Sequence, residues 1–334
     1  MSCLDATTDE AVHVQRWMAT RVTVRVPLHS VPLAGPDGRV TADLAGDAAR
    51  DAFDIFAEVD RTCTRFDPAS PLMLANRRPD QWHRAPGALY QAIAEAGQAH
   101  ELTGGIFDPR VLEHLVDLGY DRTLAFGPSP VPAPAVPRAQ AQASPVAQPP
   151  WRPGLRAATS EVRIGPRPVD LGGIGKGLAV RWAARALSDR LTCYLVEAGG
   201  DMYCSGDAPG GGPWLVAVES PSGAPEPLCV LAVRDRAVTT SSVRLRHWRA
   251  EGRAVHHLID PRTGLPGGEG LVSVTVVGED PALCEVWSKV LFLHGAAGIG
   301  AEAAKRGLAA LWALADGGAA MTPQMKEYLS WPLP

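Results

Sequence analysis

Polar and apolar positions alternate across residues 21–28 (RVTVRVPL). That period of two predicts a strand, whose successive side chains point to opposite faces. Over residues 44–60 the period changes. Ala48, Ala52, Ile55, Phe56 and Val59 fall at helical spacing and predict an amphipathic helix. A second helix is predicted over residues 86–102, with Pro86 in the first turn, where a missing N–H costs no intrahelical bond. Further on, residues 162–164 predict a short strand, 174–191 a helix and 194–197 a buried strand that runs into glycines. Residues 214–219, 228–233 and 271–277 have the β-branched and aromatic content of strands. Residues 281–294 predict a helix, with Pro281 at its start and Gly295 just past its end. Strands and helices mix without a regular βαβ alternation, so the expected fold class is α+β rather than a doubly wound parallel sheet.

One stretch breaks the pattern. Residues 128–153 hold nine prolines in 26 positions, interleaved with Ala, Gln, Ser and Val. Such a segment can neither keep a hydrogen-bonded ladder nor pack a core, so it reads as an extended insertion loop. The expected organisation is one large domain: an N-terminal extension over 1–20, a first part over 21–127, the insertion over 128–153, and a second part over 154–334.

Composition adds exclusions. The 334 residues are 46% hydrophobic and 20% charged, which rules out disorder, collagen and coiled coil as whole-chain descriptions. With 32 Lys+Arg against 36 Asp+Glu, no basic field exists to attract a phosphate backbone, and nucleic acid is not an expected partner. The six cysteines form no CxxC pair and no metal-ligand spacing, so reduced thiols are expected. No basic stretch followed by an apolar one opens the chain, and no apolar run reaches membrane-spanning length. A cytoplasmic protein without membrane insertion is the expectation.

Candidate chemistry concentrates in four places. Residues 170–180 (DLGGIGKGLAV) sit where a loop becomes a helix. Glycines there let backbone approach a ligand, the helix start presents unpaired N–H groups to an anion, and Lys176 adds a mobile positive charge. Read alone, the segment is better taken as a glycine-rich turn with an exposed lysine. Gly199-Gly200-Asp201 follows a buried strand, and a hydroxyl run includes Thr240, Ser241 and Ser242. Residues 256–264 (HHLIDPRTG) place two histidines, an acid and an arginine around a turn sequence.

The order of these segments resembles the ApbE family of FAD:protein FMN transferases. The resemblance adds Thr64-Arg65-Phe66 with Ser70, Leu72 and Asn76, and Thr103-Gly104-Gly105-Ile106-Phe107-Asp108, and runs from about Arg21 to about Leu314. It implies a T-fold-related arrangement of mixed sheets with packed helices, and FAD as substrate. FMN would pass to a Thr or Ser hydroxyl of an acceptor protein, with release of AMP. By position, Ile106, Phe107, Asp108, Asp170, Gly172, Lys176, Leu258 and Ile259 would line the nucleotide, with Gly199, Gly200, Asp201 and Ser241 completing the walls. His257 would be the general base, since an imidazole titrates near neutral pH.

The family also implies Mg2+, held here by Glu285, Ser288 and a backbone oxygen at Gly173. Glu285 stands where the family has Asp, Lys289 where it has Thr, and Trp287 where it has a smaller residue. Three readings of Lys289 stay open: it touches the pyrophosphate in place of the metal, it swings outward while the metal shifts to Glu285, or transfer is lost and the chain only binds flavin. Glu285 and Lys289 are also spaced i, i+4 for a simple helix salt bridge. Two alternatives to the transferase follow: a non-catalytic FAD-binding relative, and an FAD pyrophosphatase giving FMN and AMP.

Overall fold

The computed structural model describes residues 9–28, 40–124 and 149–331. Cys3 and most of the proline-rich insertion, through residue 148, lie outside the described residues. Helices are α1 (Ala42–Cys63), α2 (Pro71–Asn76), α3 (Gly87–Leu102), α4 (Leu112–Asp117), α5 (Gly175–Ser188), α6 (Pro281–Leu293) and α7 (Gly295–Lys305). The largest sheet is antiparallel throughout. Its order is Glu10–Trp17, Thr20–Pro27, Tyr194–Ala198, Asp201–Ser205, Arg236–Ser242, Leu271–Gly278, Ala309–Leu314 and Ala319–Met321.

Side-chain alternation sorts the sheet's two faces. Tyr194, Val196 and Ala198 pack with α1, α5 and α6 in the main core, whereas Leu195 between them joins a second core. That second core is shared with a small sheet of Trp214–Val218, Cys229–Val233 and Leu329–Trp331. The architecture is therefore α+β in three layers, helices on one face and a small sheet on the other.

Local signals account for the element ends. Thr41 caps α1, its hydroxyl accepting from the Leu44 N–H, and of the predicted stripe Ala48, Ala52, Phe56 and Val59 are buried while Ile55 is half-buried. The predicted helix over 281–294 appears as α6, capped by Asp280, whose Oδ1 accepts from Ala282 N at 2.8 Å and Leu283 N at 3.2 Å. Gly295 takes a positive φ of 66° at the break after α6, but it also opens α7, which the sequence pattern did not reveal. The hydroxyl run lies on an interior strand, between Asp201–Ser205 and Leu271–Gly278, not at a sheet edge.

Residues 10–17, read from sequence as part of an N-terminal extension, form the outermost strand of the large sheet. Trp17 pairs with Thr20, leaving Met18 and Ala19 as a two-residue turn with φ of 51° and 56°. Hairpin turns of this kind favour Asn and Gly, because Cβ clashes in the left-handed region. Ala19→Gly is accordingly expected to stabilise the protein by up to ~1 kcal/mol, read as a higher urea midpoint at unchanged slope.

Three further side chains secure element ends and helix contacts. Pro71 occupies the first turn of α2 behind the Ser70 cap. Arg181 on α5 bonds Asp280 at 2.8 Å and pairs with Glu95 on α3, tying three helices together. The Ser242 hydroxyl accepts from the Arg244 N–H where the strand ends.

Candidate active site

The start of α5 is built by α6. Gly177 lies so close to α6 that a Cβ there would stand 2.6 Å from the Pro281 carbonyl oxygen and 2.7 Å from Ala282 Cα. Only glycine permits that approach. It brings the Glu285 carboxylate, itself fully buried, onto the helix N-terminus, where Oε2 accepts from the Gly177 N–H at 2.7 Å. A carboxylate at a helix N-terminus satisfies an orphan donor and complements the helix dipole.

The other oxygen of Glu285 carries both lysines. Lys176 Nζ stands 3.1 Å and Lys289 Nζ 3.0 Å from Oε1. Lys176 also contacts the buried Asp201 carboxylate. Burial is the main effect on Lys176, lowering its pKa to about 8, with Lys289 and Arg246 acting the same way and Glu285 opposing them. Burial alone would raise the Glu285 pKa, but Lys176, Lys289 and the Gly177 N–H outweigh it and hold the group near 2.

A cavity of about 430 Å³ opens in front of these lysines, within the range of small-molecule pockets. Ile106, Phe107, Leu258 and Ile259 supply apolar wall, and Asp108, Asp170, Gly172 and Gly173 line it as well. Lys176, Lys289, Arg246 and His257 face the same space. Six of the expected residues do not. Gly199 and Gly200 form the turn between two strands, where Gly200 N donates to Glu197 at 3.1 Å. Asp201, Ser241, Glu285 and Ser288 are buried behind the wall, with Ser241 Oγ and Ser288 Oγ bonded to each other at 2.7 Å.

The expected magnesium ligands do not fit a divalent cation. Both Glu285 oxygens are taken by nitrogen donors, and the Ser288 hydroxyl donates to the Glu285 carbonyl at 2.9 Å. A cation placed on Oε1 would meet two ammonium groups at close range, a strongly repulsive position. Among the described residues no group of three or more His, Cys, Asp or Glu side chains is placed to hold a metal. Lys289 is not swung outward in this structure: the i, i+4 bridge forms, and the lysine also lines the cavity.

The histidine pair divides its roles. His256 is buried edge-on against Phe292 with ring centroids 5.8 Å apart, and burial lowers its pKa to about 4. His257 lines the cavity, with Nδ1 3.3 Å from the Arg246 carbonyl oxygen. Because that carbonyl can only accept, Nδ1 carries the proton and Nε2 the lone pair. Burial, reinforced by Arg246, His256 and Lys289, holds the ring well below its usual 6.5, so it is neutral at physiological pH.

The depressed His256 has a stability consequence. Its folded pKa lies below the unfolded 6.5, so the unfolded chain binds more protons between those values. The stability present above pH 6.5 is lost progressively as pH falls towards 4, by about 3 kcal/mol from this residue. Urea unfolding at pH 7.5, 5.5 and 4.5 should show a fall that His256→Gln reduces.

Further residues reach the cavity that the sequence reading did not place there. The Met18-Ala19 turn and Tyr120 line it, as does Arg65, whose guanidinium lies 4.2 Å from the ring centres of both Phe66 and Tyr120. Arg65 Nε stands 3.5 Å from Asp170, and its buried Nη2 has no hydrogen-bond partner among the described residues. The Thr64-Arg65-Phe66 segment of the family resemblance was the available signal for Arg65. Met18, Ala19 and Tyr120 carried none. Asp108 spends its carboxylate on Arg110, at 2.7 Å to Nη2, so only the remaining faces of this residue serve the cavity. The DPRTG turn is anchored by Arg262, which bonds Asp260 and the Leu293 carbonyl at the end of α6.

The chain belongs to the ApbE family, whose family model matches residues 18–312. It is 30% identical over 166 residues to the FAD:protein FMN transferase of Salmonella typhimurium, covering 48% of this chain and 47% of that protein. The alignment thus spans about half the length of that relative. The FAD:protein FMN transferase of Chlamydia trachomatis is 26% identical over 244 residues, covering 71% of this chain and 72% of that protein. The fold matches the crystal structure of the ApbE protein from Thermotoga maritima with a TM-score of 0.75 at 23% identity, covering 96% of this chain and 99% of that one. The apo flavinyl transferase ApbE of Pseudomonas stutzeri also gives 0.75, at 20% identity, covering 99% and 100%.

Proposed function

We propose that this protein is an FAD:protein FMN transferase. FAD occupies the cavity, and the hydroxyl oxygen of an acceptor protein's Thr or Ser attacks the FMN phosphorus. A new P–O bond forms as the bridging P–O bond of the pyrophosphate breaks. FMN becomes a phosphoester of the acceptor, AMP leaves, and the hydroxyl proton passes to His257. The observation that carries this reading is the state of His257, a neutral imidazole with its lone pair on Nε2, on the same cavity wall as Lys176 and Lys289. Family membership and the names of the relatives support it.

The apolar wall at Phe107, Leu258 and Ile259 suits a flat ring system, and the cationic end suits phosphate. Arg65, with an unspent N–H, suits a carbonyl or phosphate oxygen. A cytoplasmic setting belongs to the same reading. Among the described residues Cys63, Cys193, Cys204, Cys229 and Cys284 are free thiols, and no helix is long and apolar enough to cross a membrane.

The test is incubation with FAD and a Thr- or Ser-bearing acceptor. The expected products are flavin that stays on the acceptor after denaturation and one AMP per flavin attached. Free FMN and AMP formed without acceptor would identify a pyrophosphatase instead. FAD bound and recovered intact would identify a binding protein.

A further inference from the structure

We propose that Lys176 and Lys289 take the place of a divalent cation, so that pyrophosphate cleavage in this chain needs no metal. The inference rests on the transferase reading and concerns its charge chemistry. Four observations carry it.

First, the carboxylate that would hold a metal is saturated by nitrogen donors, two ammonium groups on Oε1 and one backbone N–H on Oε2. Second, charge is layered. Glu285 and Asp201 are 0% and 1% exposed and stand behind the wall, while Lys176 and Lys289 line the cavity with Arg246 beside them. A phosphate at this end of the cavity meets the two lysines before Glu285 and Asp201, although the two lysines and these two acids sum to zero charge. Third, two ammonium groups carry the formal charge of one divalent ion and are already held by a fixed carboxylate. They require no reorganisation as negative charge moves onto the departing AMP phosphate. Fourth, the Lys289 stem passes over Gly173, with Cδ 3.7 Å from where a Cβ would be. The lysine stem thus packs, together with the Phe107 ring, against the residue whose backbone oxygen was expected to hold a metal.

Bond changes are those of the transfer itself. The acceptor oxygen bonds to phosphorus, the bridging oxygen leaves with AMP, and the proton goes to His257. The lysines give up no proton; they bind the non-bridging and leaving oxygens as donors.

The experiment uses the full chain in EDTA and in Mg2+, with three readouts: FAD affinity by calorimetry, AMP release with acceptor, and Mn2+ binding to the FAD-free protein by electron paramagnetic resonance. Expected are FAD affinities within about threefold of each other, equal AMP release, and no bound Mn2+. FAD binding or AMP release that requires Mg2+, or Mn2+ held by the protein and displaced by Mg2+, would overturn the lysine proposal and leave the transferase reading standing. FAD binding in neither buffer would overturn both.

Lys289→Thr should lower AMP release in EDTA by roughly 100-fold or more, the scale of losing one preorganised donor. Lys289→Arg should retain most of it. Lys289→Met keeps the stem over Gly173 and serves if the threonine variant does not fold, with circular dichroism as the check. Undiminished release in EDTA by a folded Thr or Met variant would sink the idea.

Discussion

His257→Asn is expected to lower FMN transfer by roughly 100- to 10,000-fold while FAD affinity stays close to that of the parent. Asparagine can still donate to the Arg246 carbonyl, which His257 meets at 3.3 Å, but it offers no basic nitrogen to the acceptor hydroxyl. The loss should therefore fall on kcat, as for an interaction made only while the proton is moving. The pH profile provides a second check. Because burial holds His257 well below 6.5, the unprotonated base is fully present at pH 6.5 and above. Transfer by the parent should stay level through pH 6.5 and decline only in more acid solution. A loss on acidification centred at or above pH 6.5 would mean that another group limits the rate on the acid side. An asparagine variant that transfers FMN at the parental rate would remove His257 from the mechanism.

The second large effect is on folding. Glu285→Ala is expected to cost about 3–5 kcal/mol, the usual penalty for removing one partner of a buried charge pair. It strips two ammonium groups of their shared oxygen and leaves the Gly177 N–H without its acceptor. Glu285→Gln should cost less, because the amide oxygen can still accept from Gly177. Urea unfolding of both variants and the parent measures the difference. EDTA should leave the parental midpoint unchanged. If Glu285→Ala unfolds at the parental midpoint, the carboxylate is not what joins α5 to α6.

These two residues also mark how far the letters could be read. His257 was reachable because HHLIDPRTG sits in a fixed order among other segments, yet adjacency alone does not say which histidine faces the ligand. Packing does: His256 turns onto Phe292 in the core, and its neighbour emerges into the cavity. Glu285 was legible as a carboxylate near the chemistry but not as a cap. Its target, Gly177, is 108 positions away in the chain. Gly199, Gly200 and Ser241 were placed in the wall only by position in the family resemblance. In the fold Gly199 and Gly200 form the turn between two strands, and Ser241 is buried against Ser288. Met18 and Tyr120 went unseen because a turn residue and a lone aromatic carry no pattern.

By itself the sequence determined the α+β class, the helices over residues 44–60 and 86–102, and the order of the glycine and histidine segments. All of these rest on periodicity, turn chemistry and linear order, which are local properties. Tertiary structure alone decided that Glu285 serves α5 and two lysines rather than a cation, and which acids stand behind which ammonium groups. Those outcomes depend on where burial and opposing charges meet across segments far apart in the chain. A carboxylate's partners there are set by the nearest donors in three dimensions, a distance that no spacing of letters encodes.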